Sequence, residues 1–422
     1  MDLKILCTAD LHLGRRSAVL NAPSEVDLTA VGAWKRIVLK AIFGGAHAVV
    51  IAGDIFDSTG SVFESRSAFE EGLVALEREG IPVVGVAGNH DWEALPRFAR
   101  LCKAPNFHVL GLGGEWEYMT LETRGGTVAF VGWSFPSDRV LQCAFDSLTK
   151  REFSCPLIGV VHGEVSPKSN YHPMSLSDLS IGDAWVIGHI HAPALLTDRI
   201  IYPGSPQAFD FGPGERGPHG VRWLRVGTGP AKFQELEPIS SVRFEEGPLR
   251  VPGQTEDAWF DAIAAAEERC KQLRTAQPGL ESVQMRCDCT FDECPTLPKL
   301  PESHEPLTDG SAILFTSFSA KPALDPWDLV SGRDAAGEAA RLLLGAKQEE
   351  NAMEEWVQQA ERLVDLGATD ALIQYRRTLG QVQDGGDATR PEPDERTRRV
   401  FARETLIREL ESMLETAMEA RA

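Results

Sequence analysis

Ile81-Pro82-Val83-Val84-Gly85-Val86-Ala87-Gly88-Asn89-His90-Asp91 is the stretch from which the fold is read. A run of β-branched and small apolar residues that stops at Gly-Asn-His-Asp reads as a buried strand offering polar side chains at its carboxyl end. Open α/β sheets set their chemistry at that edge. There Asn89 can give a metal a neutral oxygen, His90 can shuttle a proton and Asp91 can orient His90.

Toward the amino terminus the same design recurs twice. Residues 3–9 read as a strand ending in Asp10-Leu11-His12, and side chains at i and i+2 share a strand face, so this pair points one way as two ligands for one metal. Residues 46–52 form an apolar strand closed by Gly53-Asp54, with Gly53 suited to a tight turn. Asp57, just beyond, reads as a turn or cap residue. Between the strands, residues 28–43 and 63–79 have helical spacing, the first with Val31, Trp34, Ile37, Val38 and Ala41 on one side. The pattern is strand, helix, strand, helix, strand, with ligand-bearing ends on one rim.

Toward the carboxyl terminus, residues 127–133 form another strand, residues 156–161 run into His162, and residues 184–187 run into Gly188-His189-Ile190-His191. Five of the ten histidines, His12, His90, His162, His189 and His191, therefore stand at strand ends. Asp10, His12, Asp54, Asn89, His162, His189 and His191 form an oxygen and nitrogen donor set without thiolate, which suits Mn²⁺, Fe or Zn²⁺ in a catalytic site better than a structural zinc. Seven donors exceed the needs of one open ion and match two. Two ions roughly 3.5–4 Å apart can hold a hydroxide and clamp both oxygens of an in-line phosphoryl displacement. Asp54, a carboxylate, is the natural bridge, and the chemistry expected is hydrolysis of a phosphate ester.

The series Asp10-x-His12, Gly53-Asp54, Gly88-Asn89-His90-Asp91, His162 and Gly188-His189-x-His191 resembles the calcineurin-like metallophosphoesterases over about residues 1–210. That resemblance implies an α/β fold: a four-layer β-sandwich flanked by helices, followed by a small α+β capping domain and C-terminal helices. It also implies that Asp10, His12, Asp54 and His191 hold one divalent ion and that Asp54, Asn89, His162 and His189 hold the other. His90 would be the proton donor and Asp91 its orienting partner. Asp10-Leu11-His12-Leu13-Gly14, Gly53-Asp54-Ile55-Phe56-Asp57 and Tyr202-Pro203-Gly204-Ser205-Pro206 further resemble the SbcD-type DNA repair exonucleases, nuclease partners of SMC-like ATPases. Gly204 and Ser205 can present backbone N–H groups to a phosphate, though on the residues alone, without the resemblance, a plain tight turn between two strands is the preferred reading. Phe209-Asp210-Phe211-Gly212 fits that resemblance too, but the following Gly-Pro-Gly-Glu-Arg-Gly-Pro-His has no assigned role.

At 422 residues the chain is long enough for two or three domains. No apolar stretch approaches the roughly 18 to 20 residues that span a bilayer, no basic segment with a cleavage site precedes the first strand, and eight scattered cysteines fit no disulfide framework. These features read as a cytoplasmic protein with reduced thiols. The net charge of −20 argues against a broad basic DNA-binding surface. Residues 1–240 carry 21 Lys and Arg against 27 Asp and Glu, so most of the excess lies beyond them.

The domains expected are 1–240, the metallophosphoesterase domain, then 241–330, a small α+β unit, then 331–422, a helical region with a linker at 381–395. The second unit is read from a strand at 242–244, a helix at 255–275 and strands at 281–291 and 312–318. Cys287 and Cys289 share a strand face, and buried free thiols are preferred there over a zinc site. The helix at 396–422 carries Leu406, Leu410, Met413, Leu414 and Met418 at helical spacing, fit either to fold back or to dock on another chain.

The reading of the whole is a two-metal phosphodiesterase hydrolysing DNA, an exonuclease with single-strand endonuclease ability, with Mn²⁺ as its ions. Arg15 and Arg16 would add local contacts to DNA, an SMC-like ATPase would be its partner, and a homodimer and no membrane association are expected. The alternatives are a phosphatase or cyclic-nucleotide phosphodiesterase on the same scaffold, and a non-catalytic binding scaffold. An intact donor set argues against the last.

Overall fold

A computed structural model of the chain describes residues 3–20, 26–227, 229–251, 258–291, 297–307 and 310–320. In chain order its elements are β1 (Leu3–Thr8), α1 (Ala30–Phe43), β2 (Ala48–Ile51), α2 (Thr59–Arg78), β3 (Val83–Gly85), α3 (Ala94–Leu101), β4 (Phe107–Val109), β5 (Glu117–Thr123) and β6 (Gly126–Trp133). Then come β7 (Leu157–His162), β8 (Ala184–Gly188), β9 (Ala194–Thr197), β10 (Ile200–Tyr202), β11 (Gly220–Val226), β12 (Lys232–Phe233), β13 (Glu237–Pro238), β14 (Val242–Val251), α4 (Ala258–Ala276), β15 (Ser282–Phe291), β16 (Glu305–Pro306) and β17 (Ala312–Ala320). The expected helices at 335–347, 349–366, 370–379 and 396–422 and the linker at 381–395 lie outside the described residues.

The β-α-β-α-β reading holds. β1, β2, β3 and β4 are parallel neighbours, and β11 adds to the other side of β1 antiparallel, with β12 and β13 paired on it. Parallel strands between helices and a second layer are buried on both faces, which explains their almost continuous apolar sequence. On one face Leu6, Val49, Ile51 and Val83 meet Trp34 and Ile37 of α1 and Phe69 and Leu73 of α2. Helix α1 begins where the hydroxyl of Thr29 accepts the N–H of Gly32 at 3.0 Å, and it ends at Gly44-Gly45, where Gly45 takes φ +66°.

The opposite face carries Ile5, Cys7, Val50, Val84 and Val86, which pack against Val128, Phe130, Ile158, Val160 and Val186 of a second sheet. That sheet runs β5-β6-β7-β8-β10-β9. Two sheets face to face with helices outside the first make the mixed α/β sandwich expected. Beyond the second sheet, Trp133, Trp185 and Ile187 are covered by Phe135, Met174 and Leu179, from segments whose regular structure is two short 3₁₀ turns, Ala144–Ser147 and Asp178–Ser180.

A third sheet, β14-β15-β17-β16, packs with α4, which buries Ala262, Ala266, Cys270 and Leu273 along one stripe. It is sewn to the first part by polar contacts: Gln277 Nε2 donates to Ser240 O at 2.9 Å, Glu281 N–H to Ser241 O at 2.8 Å, and Gln284 exchanges hydrogen bonds with the backbone of Leu20. Cys287 and Cys289 are buried free thiols on β15. Among the described residues neither joins a group of donors able to hold a metal.

Candidate metal centre

The ends of β1, β2 and β3 from the first sheet and of β7 and β8 from the second meet at one rim, and all seven predicted donors come together there. The sheets are joined at this point by their own polar groups. His162 Nδ1 donates across to Ala52 O at 3.0 Å, and the N–H of His189 donates to Asp10 Oδ1 at 3.0 Å. Four donors have left-handed backbone: Asp10 at φ +52°, His12 at +46°, Asp54 at +49° and His189 at +97°. Such conformations are uncommon outside glycine and concentrate at functional sites. Here Asp10 N–H on Gly53 O (3.1 Å) and His12 N–H on Asp54 O (3.0 Å) hold them.

Three groups of donors emerge among the described residues, each within 4.8 Å: His12 with Asp57 and His90, then Asp10 with His12 and His191, and Asp10 with Asp54 and His162, the last two sharing Asp10. Asp54 Oδ2 lies between them, 3.7 Å from His12 Nε2 and 3.4 Å from His162 Nε2. Asn89 Oδ1 is 3.0 Å from His162 Nε2 and 3.1 Å from His189 Nδ1. Burial raises the pKa of Asp54, but the neighbouring His162 and His12 outweigh it and leave the carboxyl below its usual range. Burial, reinforced by His162, drives His189 down to about 3, so its ring is neutral with a lone pair to give.

The hydrogen bonding tests whether cations fit. Because His162 Nδ1 donates to Ala52 O, its Nε2 is the atom turned toward Asn89 Oδ1 and Asp54 Oδ2. His12 Nδ1 bonds Asp57 Oδ1 at 3.1 Å and His191 Nδ1 bonds Glu215 Oε1, which leaves the two Nε2 atoms facing each other at 3.0 Å. With the rings in their neutral, Nδ1-protonated form these Nε2 atoms and carboxylate oxygens converge as acceptors, a set that a cation satisfies. The donor set fits divalent cations, with His12 and His191 oriented by carboxylates behind them in the manner of metal-bound histidines.

Two of these supporting residues were not expected. Asp57 reads in the sequence as a turn residue, yet its carboxylate fixes His12 and its carbonyl meets His90 Nδ1 at 3.1 Å. Glu215 sits in the glycine- and proline-rich stretch without an assigned role, buried, with its second oxygen accepting Phe209 N–H at 2.9 Å. Hydrogen bonding to Glu215 overrides burial and raises the pKa of His191. If Glu215 orients a metal ligand, Glu215→Gln is expected to weaken divalent-metal affinity about 10- to 100-fold while the protein stays folded, as measured by metal titration beside a melting curve.

Other expectations need correction. Asp91 does not touch His90: it is fully buried, and its carboxylate accepts the N–H groups of Gly88 (2.8 Å), Ile55 (2.8 Å) and Phe56 (3.3 Å). It ties the loop after β2 to the loop after β3. Burial and the charge of Asp54 push its pKa up to about 8. The carbonyl of Asp57 is what His90 meets instead, and the N–H of His90 pins Asp54 Oδ1 at 2.9 Å.

Ser205 is also fully buried. Its N–H donates to His191 O at 3.0 Å and its hydroxyl pairs with His219 Nδ1 at 2.9 Å, so its polar groups are used inside the protein to seat His191. Gly204 takes φ +77°, where a Cβ would come within 2.5 Å of His191 O, so this glycine too serves the seat of that ligand. Arg15 lies over the Phe209 ring at 4.3 Å and near Asp57 and Asp210 at the edge of the site, whereas Arg16 is exposed, its backbone bridged to Thr29.

Residues 3–193 match the calcineurin-like phosphoesterase family. This segment is a calcineurin-like phosphoesterase domain. The phosphoesterase domain contains all seven donors, while Glu215 comes from beyond its matched boundary. Among curated relatives, the uncharacterized metallophosphoesterase YhaO of Bacillus subtilis is 24% identical over 264 residues, 59% of this chain and 64% of that protein. A subunit of the nuclease SbcCD from the same organism is 24% identical over 344 residues, 66% of this chain and 84% of that one. The DNA double-strand break repair protein Mre11 of Archaeoglobus fulgidus is 27% identical over 233 residues, about half of each chain. The chain thus spans under two thirds of the first of these relatives and about half of the third.

Proposed function

We propose that this chain is a two-metal phosphodiesterase acting on DNA, with Mn²⁺ as the working ion. The observation that carries the reading is the convergence of donor atoms, His12 Nε2 with His191 Nε2 at 3.0 Å, His162 Nε2 with Asn89 Oδ1 at 3.0 Å, and Asp54 Oδ2 between the two pairs. Asp10, His12, Asp54 and His191 would hold one ion, and Asp54, Asn89, His162 and His189 the other. Two divalent cations there would supply Lewis acidity toward the phosphoryl oxygens and the attacking water. The chain's part is to aim the donors, hold Asp54 ionised between the two groups, and keep a proton available at the mouth of the site.

His90 is exposed there, its Nδ1 on the carbonyl of Asp57, and in its protonated form it would serve the leaving oxygen. His90→Ala is expected to keep both ions and lose about 100-fold in turnover. Loss of metal from that variant would make His90 a ligand instead.

DNA as substrate is supported by relatives named as a nuclease subunit and as a double-strand break repair protein. An SMC-like ATPase partner, a homodimer, a cytoplasmic setting and the division into 1–240, 241–330 and 331–422 belong to the same proposal. Among the described residues no helix is long and apolar enough to cross a membrane. The net charge of −20 favours a second reading, a phosphatase or cyclic-nucleotide phosphodiesterase working on small substrates. Assay of the purified chain with Mn²⁺ on linear duplex DNA, single-stranded DNA and small phosphodiesters separates the two. Degradation of DNA is expected, and hydrolysis of small diesters alone would select the second reading.

A further inference from the structure

Apart from the metal centre, the last two turns of α1, together with β11, β13 and the turn after α4, bound a cavity of about 550 Å³. Small-molecule pockets occupy roughly 300–1,000 Å³. None of the seven metal donors lines it, nor does any residue that orients them. Its wall depends on a close approach at Gly44, where a Cβ would come within 2.6 Å of the Trp223 ring and 2.5 Å of Lys40 O. A residue without a side chain lets the end of the helix come this near the sheet.

Charge in the cavity is unbalanced. Lys4, Arg36 and Lys40 line it against one carboxylate, Glu237, which is already engaged by Lys40 and by the indole N–H of Trp223 at 2.6 Å. Lys4 is held in place, its ammonium 4.1 Å over the Trp223 ring and donating to Gly44 O at 2.6 Å. An ammonium has three protons to give, so it can serve a ligand as well. Arg36 donates from Nη2 to Gln207 Oε1 at 2.8 Å, while its Nε is buried without a hydrogen-bond partner among the described residues. A buried donor is costly until an acceptor meets it. Three cations less one carboxylate leave two positive charges, which a phosphate monoester of about −1.5 to −2 balances.

An apolar face adjoins the cations. The ring of Phe43 is 85% exposed, and Leu39, one turn earlier on the same side of α1, is exposed as well. Pro238 and Pro278 line the same cavity. An exposed ring beside a cationic pocket suits a ligand with a flat base and a phosphate.

We propose that this cavity binds a nucleoside monophosphate, its base on Phe43 and its phosphate on Lys4 and Arg36. The site is separate from the metal centre, so the inference goes beyond the phosphodiesterase reading and does not depend on it. The test is photolabelling of the full Mn²⁺-loaded chain with 8-azidoadenosine 5′-monophosphate, followed by mapping of the labelled peptides. An adduct is expected within residues 36–44 or 237–239, suppressed by adenosine 5′-monophosphate but not by adenosine or inorganic phosphate at the same concentration. Lys4→Met removes the charge while keeping the stem over Trp223, and it is expected to raise the concentration for half-maximal labelling about tenfold. Phe43→Ser changes an exposed ring and so spares the fold, and it is expected to have a similar effect through lost stacking.

Adducts confined to the loops that carry the metal donors would place the nucleotide there and overturn the proposal. Equal competition by adenosine would remove the role of the cations, and equal competition by inorganic phosphate that of the ring, and either result overturns it too. So would labelling of residues 36–44 at unchanged concentration in Phe43→Ser. Diester hydrolysis plays no part in the readout, so failure here leaves the phosphodiesterase reading untouched.

Discussion

Asp54→Asn is expected to lose both metal content and phosphodiester hydrolysis, with turnover down roughly 10³-fold, the equivalent of the several kcal/mol that a metal clamp contributes. The side chain is almost completely buried, and one of its oxygens lies between an imidazole of each donor group while the other accepts the N–H of His90. Asparagine preserves the volume, so the fold should survive. What changes is charge: the two groups lose the anion that joins them, and an amide NH₂ can turn toward lone pairs that need a cation. Elemental analysis of the purified variant beside a diester assay checks this, and wild-type occupancy of both ions would contradict a bridge at Asp54.

The second large effect is on stability. Gly188 ends β8 where the two sheets touch, and a Cβ there would lie 1.8 Å from Ala52 O and 2.7 Å from His162 Nδ1. Neither neighbour can yield cheaply, because the carbonyl belongs to the backbone after β2 and the imidazole is bonded to that same carbonyl. Gly188→Ala is therefore expected to destabilise the protein by about 3 kcal/mol, at the upper end of overpacking costs, and to weaken metal binding by prising the sheets apart. Gly229→Ala, where a Cβ meets nothing within 4 Å, should stay within about 0.5 kcal/mol. Melting curves of the two variants decide it, and an unshifted Gly188→Ala would mean that the sheet junction relaxes freely.

The donors are legible because buried parallel strands announce themselves as apolar runs, and a polar residue directly after such a run has few places to go except the rim. What escapes reading depends on contacts distant in the chain. Glu215 finds His191 across 24 residues of turn-rich sequence, and nothing local marks it beyond its charge. Asp91 looks like the partner of its neighbour His90, but three backbone amides outcompete the imidazole for its oxygens. Strand β5 is hard to see because Glu117–Thr123 is largely polar and lies at the edge of its sheet, without the apolar run that betrays the interior strands. At β14 the sequence pattern suggests a strand ending at residue 244, whereas the strand continues to Val251 through Gly247 and Pro248. Those residues depress strand propensity, and pairing with β15 overrides them.

The left-handed backbone at Asp10, His12, Asp54 and His189 bears on how this lineage can change. Each such residue costs the fold about 1 kcal/mol relative to an unstrained alternative, and glycine would relieve it at every one of the four. Selection for robustness alone therefore pulls against the chemistry, and does so at the very positions that carry it. Yet glycine would also remove the carboxylates that accept the N–H groups of His189 and His90, so the strained residues are tied to the junction of the two sheets as well as to the chemistry.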